Sequence, residues 1–331
     1  MIEWKRYNES MNSRFWDTQL NNFTGFTFYQ AYNWGEHRVN FGWKVYRWLA
    51  FEGDDELKSM AQALVKVLPF GITIAWISGG PVGPVKAWSE DIKRLLIKET
   101  GCNHIYIRIL NNKILNESDT VELVNSGWSY PSVKLRSGLS MMLSLNKELE
   151  SLRQGMTKNW RRNLTRGEKH GLQITQWKDP NIDEIYELYK SMQKLKGIDE
   201  QFSREELESI FKYLSDNIVI FKCTNSEGKL IAIRGCFIIG RYAWDLFAAA
   251  SEEARKIYAT YVLLWNLLSH CKCINVLDYD LMGIDPDNNQ GVYNFKKGTG
   301  AITIKYLGEW EWSSNFILKF AINIALKYKL V

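Results

Sequence analysis

The stretch Tyr279–Gly300, YDLMGIDPDNNQGVYNFKKGTG, decides how the rest of this 331-residue chain is interpreted. A β-branched and apolar run over Ile274–Leu281 predicts a strand that carries Asp278 and Asp280. The Asp-Pro, Asn-Asn and Gly content of 283–291 then predicts a turn-rich loop, because such residues do not continue a strand or a helix. Acids, lysines and glycines at the end of a buried strand favour chemistry over packing. An ordinary long surface loop is the alternative.

Aromatic and basic side chains follow this loop. Tyr293 and Phe295 come first, and Lys296 and Lys297 come next. Two glycines then lead into an apolar run over 301–307. The loop imitates the start of a calcium-binding EF-hand, but its glycine is one place late and Lys296 stands where the bidentate glutamate belongs. Calcium binding is therefore not expected.

Length and composition favour a globular protein of two domains. The chain has 46% apolar residues and a net charge of +5, which permits a phosphate-bearing partner without requiring one. Neither a signal peptide nor a transmembrane helix is expected, because no apolar stretch follows the N-terminal charges and no window approaches the length of a span. Phe316–Leu330 comes closest, but polar residues interrupt it, so it predicts an amphipathic terminal helix. Five cysteines, an odd number, favour a reducing cytoplasm.

Metal, cofactor and triad chemistry find little support. Cys271 and Cys273 lie beside His270, but no second ligand pair has suitable spacing, so buried thiols are favoured over zinc. The four histidines are scattered and no G-x-S-x-G is present. No metal and no cofactor are expected.

The order of predicted elements repeats along the chain. The first half reads as a short helix over 30–40, strands over 43–51, 61–67 and 72–77, a helix over 88–100 and a strand over 104–110. The second half reads as helices over 186–195 and 204–215, strands over 218–223, 230–239 and 241–249, a helix over 258–270 and the strand that ends at Leu281. Ser203 and Glu206 predict a capping box at the start of one of these helices. The pattern indicates a duplicated α/β unit.

The most basic segment of the chain lies between the two halves. It reads MTKNWRRNLTRGEKHG from Met156 to Gly171, after a predicted strand over 139–145. Its basic residues recur at helical spacing and so mostly share one face: Lys158, Arg161, Arg162, Arg166 and Lys169. Trp160 and Leu164 are left to pack elsewhere. Such a helix binds polyphosphate or an RNA backbone, or is a solvated face.

An ordered set of short motifs resembles the FemABX family of aminoacyl-tRNA-dependent transferases. The set comprises Gln30 with Trp34, Gly80-Pro81-Val82, Lys158-x-x-Arg161-x-Asn163, Tyr279-Asp280-x-x-Gly283-Ile284 and Tyr293-x-Phe295-Lys296-x-Gly298. The resemblance implies an α/β fold of two tandem GNAT-like domains, with the second inserted into the first. It places the domains at 1–143 plus 311–331 and at 144–310, and it implies a short member without the long helical arm.

The resemblance also implies a reaction and two substrates. An amine acceptor on a cell-envelope precursor would attack the ester of an aminoacyl-tRNA to give an amide. Members that act on the soluble peptidoglycan precursor place basic residues where this chain has 35–38 and 197–201, which are acidic or neutral except for Arg38. An amino sugar or another surface amine is therefore an acceptor alternative to the precursor peptide.

Residue roles follow from the resemblance. Lys296 corresponds to the family lysine that stabilises negative charge near the ester, with Lys297 as its rival. Phe295 would exclude water, and Asp280 would orient or deprotonate the amine, or serve only the structure. The expected substrate contacts are Tyr279, Tyr242, Trp34, Arg38 and Tyr293. The expected tRNA or phosphate contacts are Lys158, Arg161, Arg162 and Arg166.

Two alternatives remain open. An acyl-CoA- or acyl-carrier-dependent N-acyltransferase of the same fold would require a glycine-containing pyrophosphate loop between a strand and a helix. The junction at 249–258, AASEEARKIY, has no glycine and two glutamates. A non-catalytic RNA- or precursor-binding module is the second alternative, and it would depend on the basic helix and not on Lys296.

Overall fold

The computed structural model describes residues 2–7, 13–53 and 56–328. The chain divides into two compact units, one formed by Met1–Leu139 with Ile304–Val331 and the other by Ser140–Thr303. Each unit combines a sheet with flanking helices, as the element order predicted.

The first unit contains six strands and five α-helices among the described residues. The strands are β1 (Ile2–Arg6), β2 (Lys44–Glu52), β3 (Glu56–Leu68), β4 (Ile72–Ser78), β5 (His104–Ile114) and β12 (Ile302–Ser313). The helices are α1 (Ser13–Leu20), α2 (Tyr32–Val39), α3 (Asp91–Thr100), α4 (Glu117–Asn125) and α12 (Phe316–Lys327). The strand order is β1-β2-β3-β4-β5-β12, and only β4 and β5 run parallel among these pairs.

The second unit follows the same plan. Its strands are β6 (Leu139–Ser144), β7 (Gln173–Gln176), β8 (Ile218–Thr224), β9 (Leu230–Ile239), β10 (Tyr242–Ala250) and β11 (Asp278–Gly283). Its helices are α5 (Leu149–Gly155), α6 (Lys158–Glu168), α7 (Ile182–Lys196), α8 (Arg204–Leu214), α9 (Glu252–Lys256), α10 (Ala259–Cys273) and α11 (Gln290–Gly298). The order is β6-β11-β10-β9-β8-β7, with β10 and β11 as the parallel pair among the described strands.

In each unit the parallel pair is joined through a helix, α3 between β4 and β5, and α10 between β10 and β11. Parallel neighbours need such a crossover, whereas antiparallel neighbours close with a short turn. In the first unit, α3 contributes Ile92 and Leu96 to a core with Trp48 and Ile107. In the second, α10 packs on β8 and β9, and α7 packs on β9 and β10. The duplicated unit is therefore present in the structure.

One prediction around the central stretch was wrong, and one helix was not predicted. The strand begins at Asp278 and not at Ile274, because α10 continues to Cys273 and ends in a Schellman-type turn. In that turn Asn275 has φ +64°, and the amide of Val276 donates to the carbonyl of Cys271 over 2.9 Å. The residues after the loop form α11, a helix that begins after Asn289, whose side chain accepts from the amide of Val292. The apolar composition of 274–277 had concealed the helix end.

Several other predictions are confirmed. Ser203 and Glu206 form the predicted capping box of α8. The apolar run at 316–330 forms the helix α12, although Lys329 and Leu330 lie outside the described residues. No long helical arm interrupts 182–214, where α7 and α8 follow one another closely. The longest helices among the described residues, α7 and α10, have 15 residues each, and none of the described helices meets the length and apolarity of a membrane span.

Candidate active site

Lys296 occupies a buried position on α11 in the second unit. Only 8% of the residue is exposed. Its Nζ donates to the carbonyl oxygens of Met282 over 3.2 Å and of Gly283 over 2.8 Å, at the end of β11. Met282 has φ +65°, a conformation that non-glycine residues rarely adopt and that clusters at functional sites. The lysine therefore fixes an irregular strand end with two of its three N–H donors.

Burial and neighbouring charges act on the pKa of Lys296 in opposite directions, and the net shift is downward. Burial lowers the pKa of Lys296, since desolvation disfavours the ammonium. The carboxylate of Asp245 opposes this effect, the guanidinium of Arg234 lowers the pKa further, and Asp280 raises it. A buried ammonium in such surroundings exerts a stronger field on a reacting group than an exposed one, because water screens it less.

A buried ion pair lies beside Lys296. Arg234 of β9 donates to Asp245 of β10 through two parallel bonds, Nε to Oδ1 over 2.9 Å and Nη2 to Oδ2 over 2.7 Å. The hydroxyl of Tyr279 donates to the same Oδ1 over 3.0 Å. Both charged side chains are less than a tenth exposed. Burial lowers the pKa of Arg234, but Asp245 and Tyr279 more than offset this and the net shift is upward.

Tyr279 and Asp280 are consecutive residues of β11 and bond different partners. Tyr279 is fully buried, and burial first and Asp245 second raise the pKa of its hydroxyl well above the usual value. Asp280 is also buried, and its Oδ1 accepts from the hydroxyl of Ser140 and from the amide of Met282. These bonds hold Asp280 in place at the strand end where Lys296 binds. They supply the structural role that the sequence left open for this aspartate.

Phe295 lies between the ion pair and helix α6. The guanidinium carbon of Arg234 is 5.4 Å from the centre of its ring. On the other side the ring packs against Tyr261 at 5.1 Å and Trp160 at 5.8 Å, centre to centre. The indole N–H of Trp160 donates to the carbonyl of Phe295 over 3.1 Å. Phe295 is thus held by an aromatic cage and a cation–π contact.

Helix α6 presents the predicted basic face. Trp160, Asn163, Leu164 and Gly167 form its buried side, at spacings of three and four. Lys158, Arg162 and Arg166 are exposed and Arg161 is partly exposed.

The arginines of α6 differ in how they are held. Arg161 donates to the carbonyls of Gln154 and Met156, so it also stabilises the end of α5. Arg162 bonds Asn159 on its own helix, and Arg166 bonds the hydroxyl of Tyr258. One side of α6 therefore contacts helix α11 at Phe295, while the other side is cationic and open to solvent.

The remaining predicted contacts are more dispersed. Tyr242 is half-buried at the start of β10 and stacks near Trp244 at 6.2 Å, and Tyr293 lies one turn before Lys297, whose Nζ is 5.4 Å from its ring. Trp34 and Arg38 belong to the first unit, on α2.

Arg234 and Asp245 are site candidates that the sequence analysis missed. Both interrupt apolar strands, LIAIRGCFII and YAWDLFAAA. An unpaired charge in a buried strand is strongly disfavoured, so two such interruptions on adjacent predicted strands indicate a mutual ion pair. That signal was available in the sequence.

Metal and pyrophosphate binding have little support in the geometry. Within 2–7, 13–53 and 56–328, no cluster of three or more His, Cys, Asp or Glu side chains is suited to a metal ion. At the junction after β10, Ser251 caps α9 and Glu252 and Glu253 occupy its first turn. Two carboxylates at a helix N-terminus repel a pyrophosphate where helix N–H groups would otherwise attract it.

Comparison with known proteins supports the same fold and family. The FemAB family model matches residues 200–327, which include β9, β10, β11 and Lys296. The crystal structure of FemX superposes with a TM-score of 0.81 at 16% identity, covering 96% of this chain and 100% of that chain. L-PGS from Bacillus licheniformis gives 0.58 at 14% identity, covering 95% and 96%. No curated protein sequence matches the chain.

A tandem GNAT protein from the clavulanic acid biosynthesis pathway gives a TM-score of 0.56 at 12% identity, over 96% of this chain and 99% of that chain. At these identities the structural likenesses show the fold, which is that of two tandem GNAT-like domains. The family match and this fold together support a transferase. The predicted resemblance to the FemABX family is thereby confirmed, by the FemAB match over residues 200–327 and by a FemX-like fold over nearly the whole chain.

Proposed function

We propose that this protein is an aminoacyltransferase that moves an aminoacyl group from aminoacyl-tRNA to an amine of a cell-envelope precursor. The observation that carries the proposal is the buried ammonium of Lys296 beside Phe295, within the segment that the FemAB family model matches. Peptidoglycan synthesis is the general setting that the family suggests.

The enzyme mainly has to align the amine with the ester and stabilise the negative charge that develops on the ester oxygen, because an aminoacyl ester is already activated. The acceptor amine attacks the ester carbonyl, the new N–C bond forms, and the ester C–O bond breaks. The amine proton finally resides on the ribose hydroxyl that leaves. In this scheme Lys296 directs its third N–H donor toward the oxyanion, and a group of this kind contributes about 10²- to 10³-fold to the rate.

Neighbouring residues would support that role. Arg234 contacts the ring of Phe295, and both Arg234 and Asp245 shift the pKa of Lys296. Phe295 would exclude water that would hydrolyse the ester. Asp280 acts by positioning the strand end, and a direct part in orienting the amine is the alternative. Tyr279, Tyr242 and Tyr293 are proposed to shape the acceptor side of the same unit.

The tRNA would bind the cationic side of α6. Lys158, Arg162 and Arg166 are open to solvent, while Trp160 on the opposite side bonds the carbonyl of Phe295. A phosphate backbone on the outer side would therefore lie one helix diameter, about 10 Å, from the backbone of Phe295. Arg161 would contribute mainly by fixing α5 against α6.

The acceptor is proposed to be an amino sugar or another surface amine, with the peptidoglycan precursor peptide as the alternative. The first unit offers Trp34 and Arg38 on α2, but the positions around Arg38 are acidic or neutral. We also propose that the two compact units are the two GNAT-like domains and that, because aminoacyl-tRNA is a cytoplasmic donor, the protein acts in the cytoplasm.

The direct test supplies the protein with pooled radiolabelled aminoacyl-tRNAs and a panel of amines, and in parallel with labelled acyl-CoA. The proposal predicts transfer of label from aminoacyl-tRNA in a ribonuclease-sensitive manner. Label transferred only from acyl-CoA would replace the proposal with the N-acyltransferase alternative. Tight tRNA binding without transfer to any amine would favour the binding-module alternative.

A further inference from the structure

Helix α12 of the first unit carries apolar side chains on two opposite sides. The inner side, with Leu318, Ile322 and Leu326 at spacings of four, packs against Ile74 and Tyr106 of the sheet. The outer side carries five large apolar or aromatic side chains that remain exposed: Phe316, Ile317, Phe320, Ile324 and Tyr328. Phe316 is 79% exposed and Phe320 is 65% exposed. The inner side alone accounts for the packing of the helix, so the outer side needs another explanation.

The charges around this outer side have one sign. The sequence from Phe316 to Val331 contains three lysines and no acidic residue. Lys319 is engaged by Glu311 over 3.4 Å, whereas Lys327 is exposed at the end of the helix. A surface that combines aromatic, aliphatic and basic side chains without acids matches the interface of an anionic bilayer.

The loop beside α12 also carries basic residues and no acidic ones. The amide of Val133 donates to the side chain of Asn323 over 3.4 Å, and Lys319 bonds the hydroxyl of Ser129, so residues 129–133 run alongside the helix. This loop reads SYPSVKLR, with exposed Lys134 and Arg136 and again no acid. The exposed Lys134 thus directly follows Val133, the residue of this loop whose amide bonds α12.

From these observations we infer that the outer side of α12 docks on the surface of an anionic lipid bilayer. Twelve residues give a helix of about 18 Å, which is too short for a hydrocarbon core of about 30 Å, so the helix would lie in the interface plane. A second copy of the chain is a poorer occupant, because a twofold contact would bring together two surfaces that both carry the positive charge of Lys327. The inference does not depend on the proposed reaction, although a lipid-carried acceptor would be found at such a surface.

The test is co-sedimentation of the purified full-length protein with vesicles. One set contains equal parts of phosphatidylglycerol and phosphatidylcholine, and the other contains phosphatidylcholine alone. We expect partitioning about tenfold stronger to the anionic vesicles, and weaker when salt is raised from about 0.1 M to about 1 M, where the screening length falls from about 10 Å to about 3 Å. No binding to the anionic vesicles would overturn the inference.

A matched pair of variants locates the binding surface. Phe316→Ser with Phe320→Ser removes two exposed rings and is expected to reduce partitioning about tenfold or more. Val121→Ser with Val124→Ser is the control, because these valines of α4 are also half-exposed but lie among acidic residues. Equal binding by the phenylalanine variant and the wild type would overturn the inference. The inference would also be overturned if the wild type did not bind vesicles but dimerised with rising concentration, and only the phenylalanine variant lost that dimerisation.

Discussion

Replacing Asp245 with Asn probes the buried ion pair that organises the candidate site. The substitution keeps the side-chain shape and leaves Oδ1 able to accept from Tyr279 and from Nε of Arg234. It removes the negative charge and places an NH₂ group where Oδ2 now accepts from Nη2 over 2.7 Å. The guanidinium of Arg234 would then be buried without a counter-charge.

The expected cost follows from this burial. Breaking a buried pair by neutralising one partner costs about 3–5 kcal/mol of unfolding free energy, because the remaining charge is left desolvated. Combining Asp245→Asn with Arg234→Met removes both charges, so we expect the double variant to be more stable than the sum of the single losses by at least about 1 kcal/mol. Asp245→Asn also removes a negative charge near Lys296, so it should lower the pKa of that lysine further.

The measurement must report on the second unit alone, since a chain of two units need not unfold in one step. Urea titration followed by hydrogen exchange in peptides from β9 and β10 meets this requirement. A loss below about 1 kcal/mol for Asp245→Asn would refute the reasoning, because it would mean that water or another group already neutralises Arg234. Strict additivity of the two single changes would refute the pairing itself.

Three further predictions concern packing and protonation. Gly298→Ala should lower the free energy of unfolding by about 1–3 kcal/mol in the same urea assay, because the new Cβ would lie 2.6 Å from Cδ1 of Trp160. Gly291→Ala in the same helix is the control, because its Cβ meets nothing within 4 Å, and it should raise the free energy of unfolding by up to about 1 kcal/mol. Burial raises the pKa of Asp17 to about 6, so its contribution is favourable at low pH and is lost as pH rises through 6. At pH 8 the free energy of unfolding of Asp17→Asn should therefore exceed that of the wild type by up to about 3 kcal/mol, and the difference should vanish near pH 4. A difference that does not change between pH 4 and pH 8 would contradict this prediction. Burial lowers the pKa of Lys296, so the rate of transfer should decline with rising pH before pH reaches about 10.4, the ordinary pKa of a lysine. A Lys296→Arg variant that retains activity should not show this alkaline decline.

The sequence was most informative where local patterns coincide with burial. Apolar and alternating stretches predicted β2, β4, β8, β9 and β10 nearly in full, and the Ser203–Glu206 spacing predicted a cap that the structure contains. It failed at 274–277, where Ile274 and Val276 have strand-like side chains but Asn275 takes a left-handed conformation that ends α10. Side-chain preference alone does not reveal such a turn.

The candidate site was only partly predictable for a related reason. Lys296 and Phe295 came from a resemblance in short motifs, and the structure places both on a helix that the sequence analysis did not predict. That Lys296 bonds the carbonyls of Met282 and Gly283 depends on tertiary contact across 13 and 14 residues, which no local pattern encodes. The pairing of Arg234 with Asp245 depends on the register of β9 against β10, although the charges themselves were conspicuous in the sequence.

The most direct test of the central claim compares two adjacent lysines of α11. Lys296 is buried and bonded at the strand end, whereas Lys297 is exposed near Tyr293. The initial rate of label transfer from aminoacyl-tRNA should fall by about 10²-fold or more in Lys296→Met and stay within about twofold of the wild type in Lys297→Met, with hydrogen exchange in β10 unchanged in both. A Lys296→Met protein that transfers label within about fivefold of the wild-type rate would contradict the assignment of the active site.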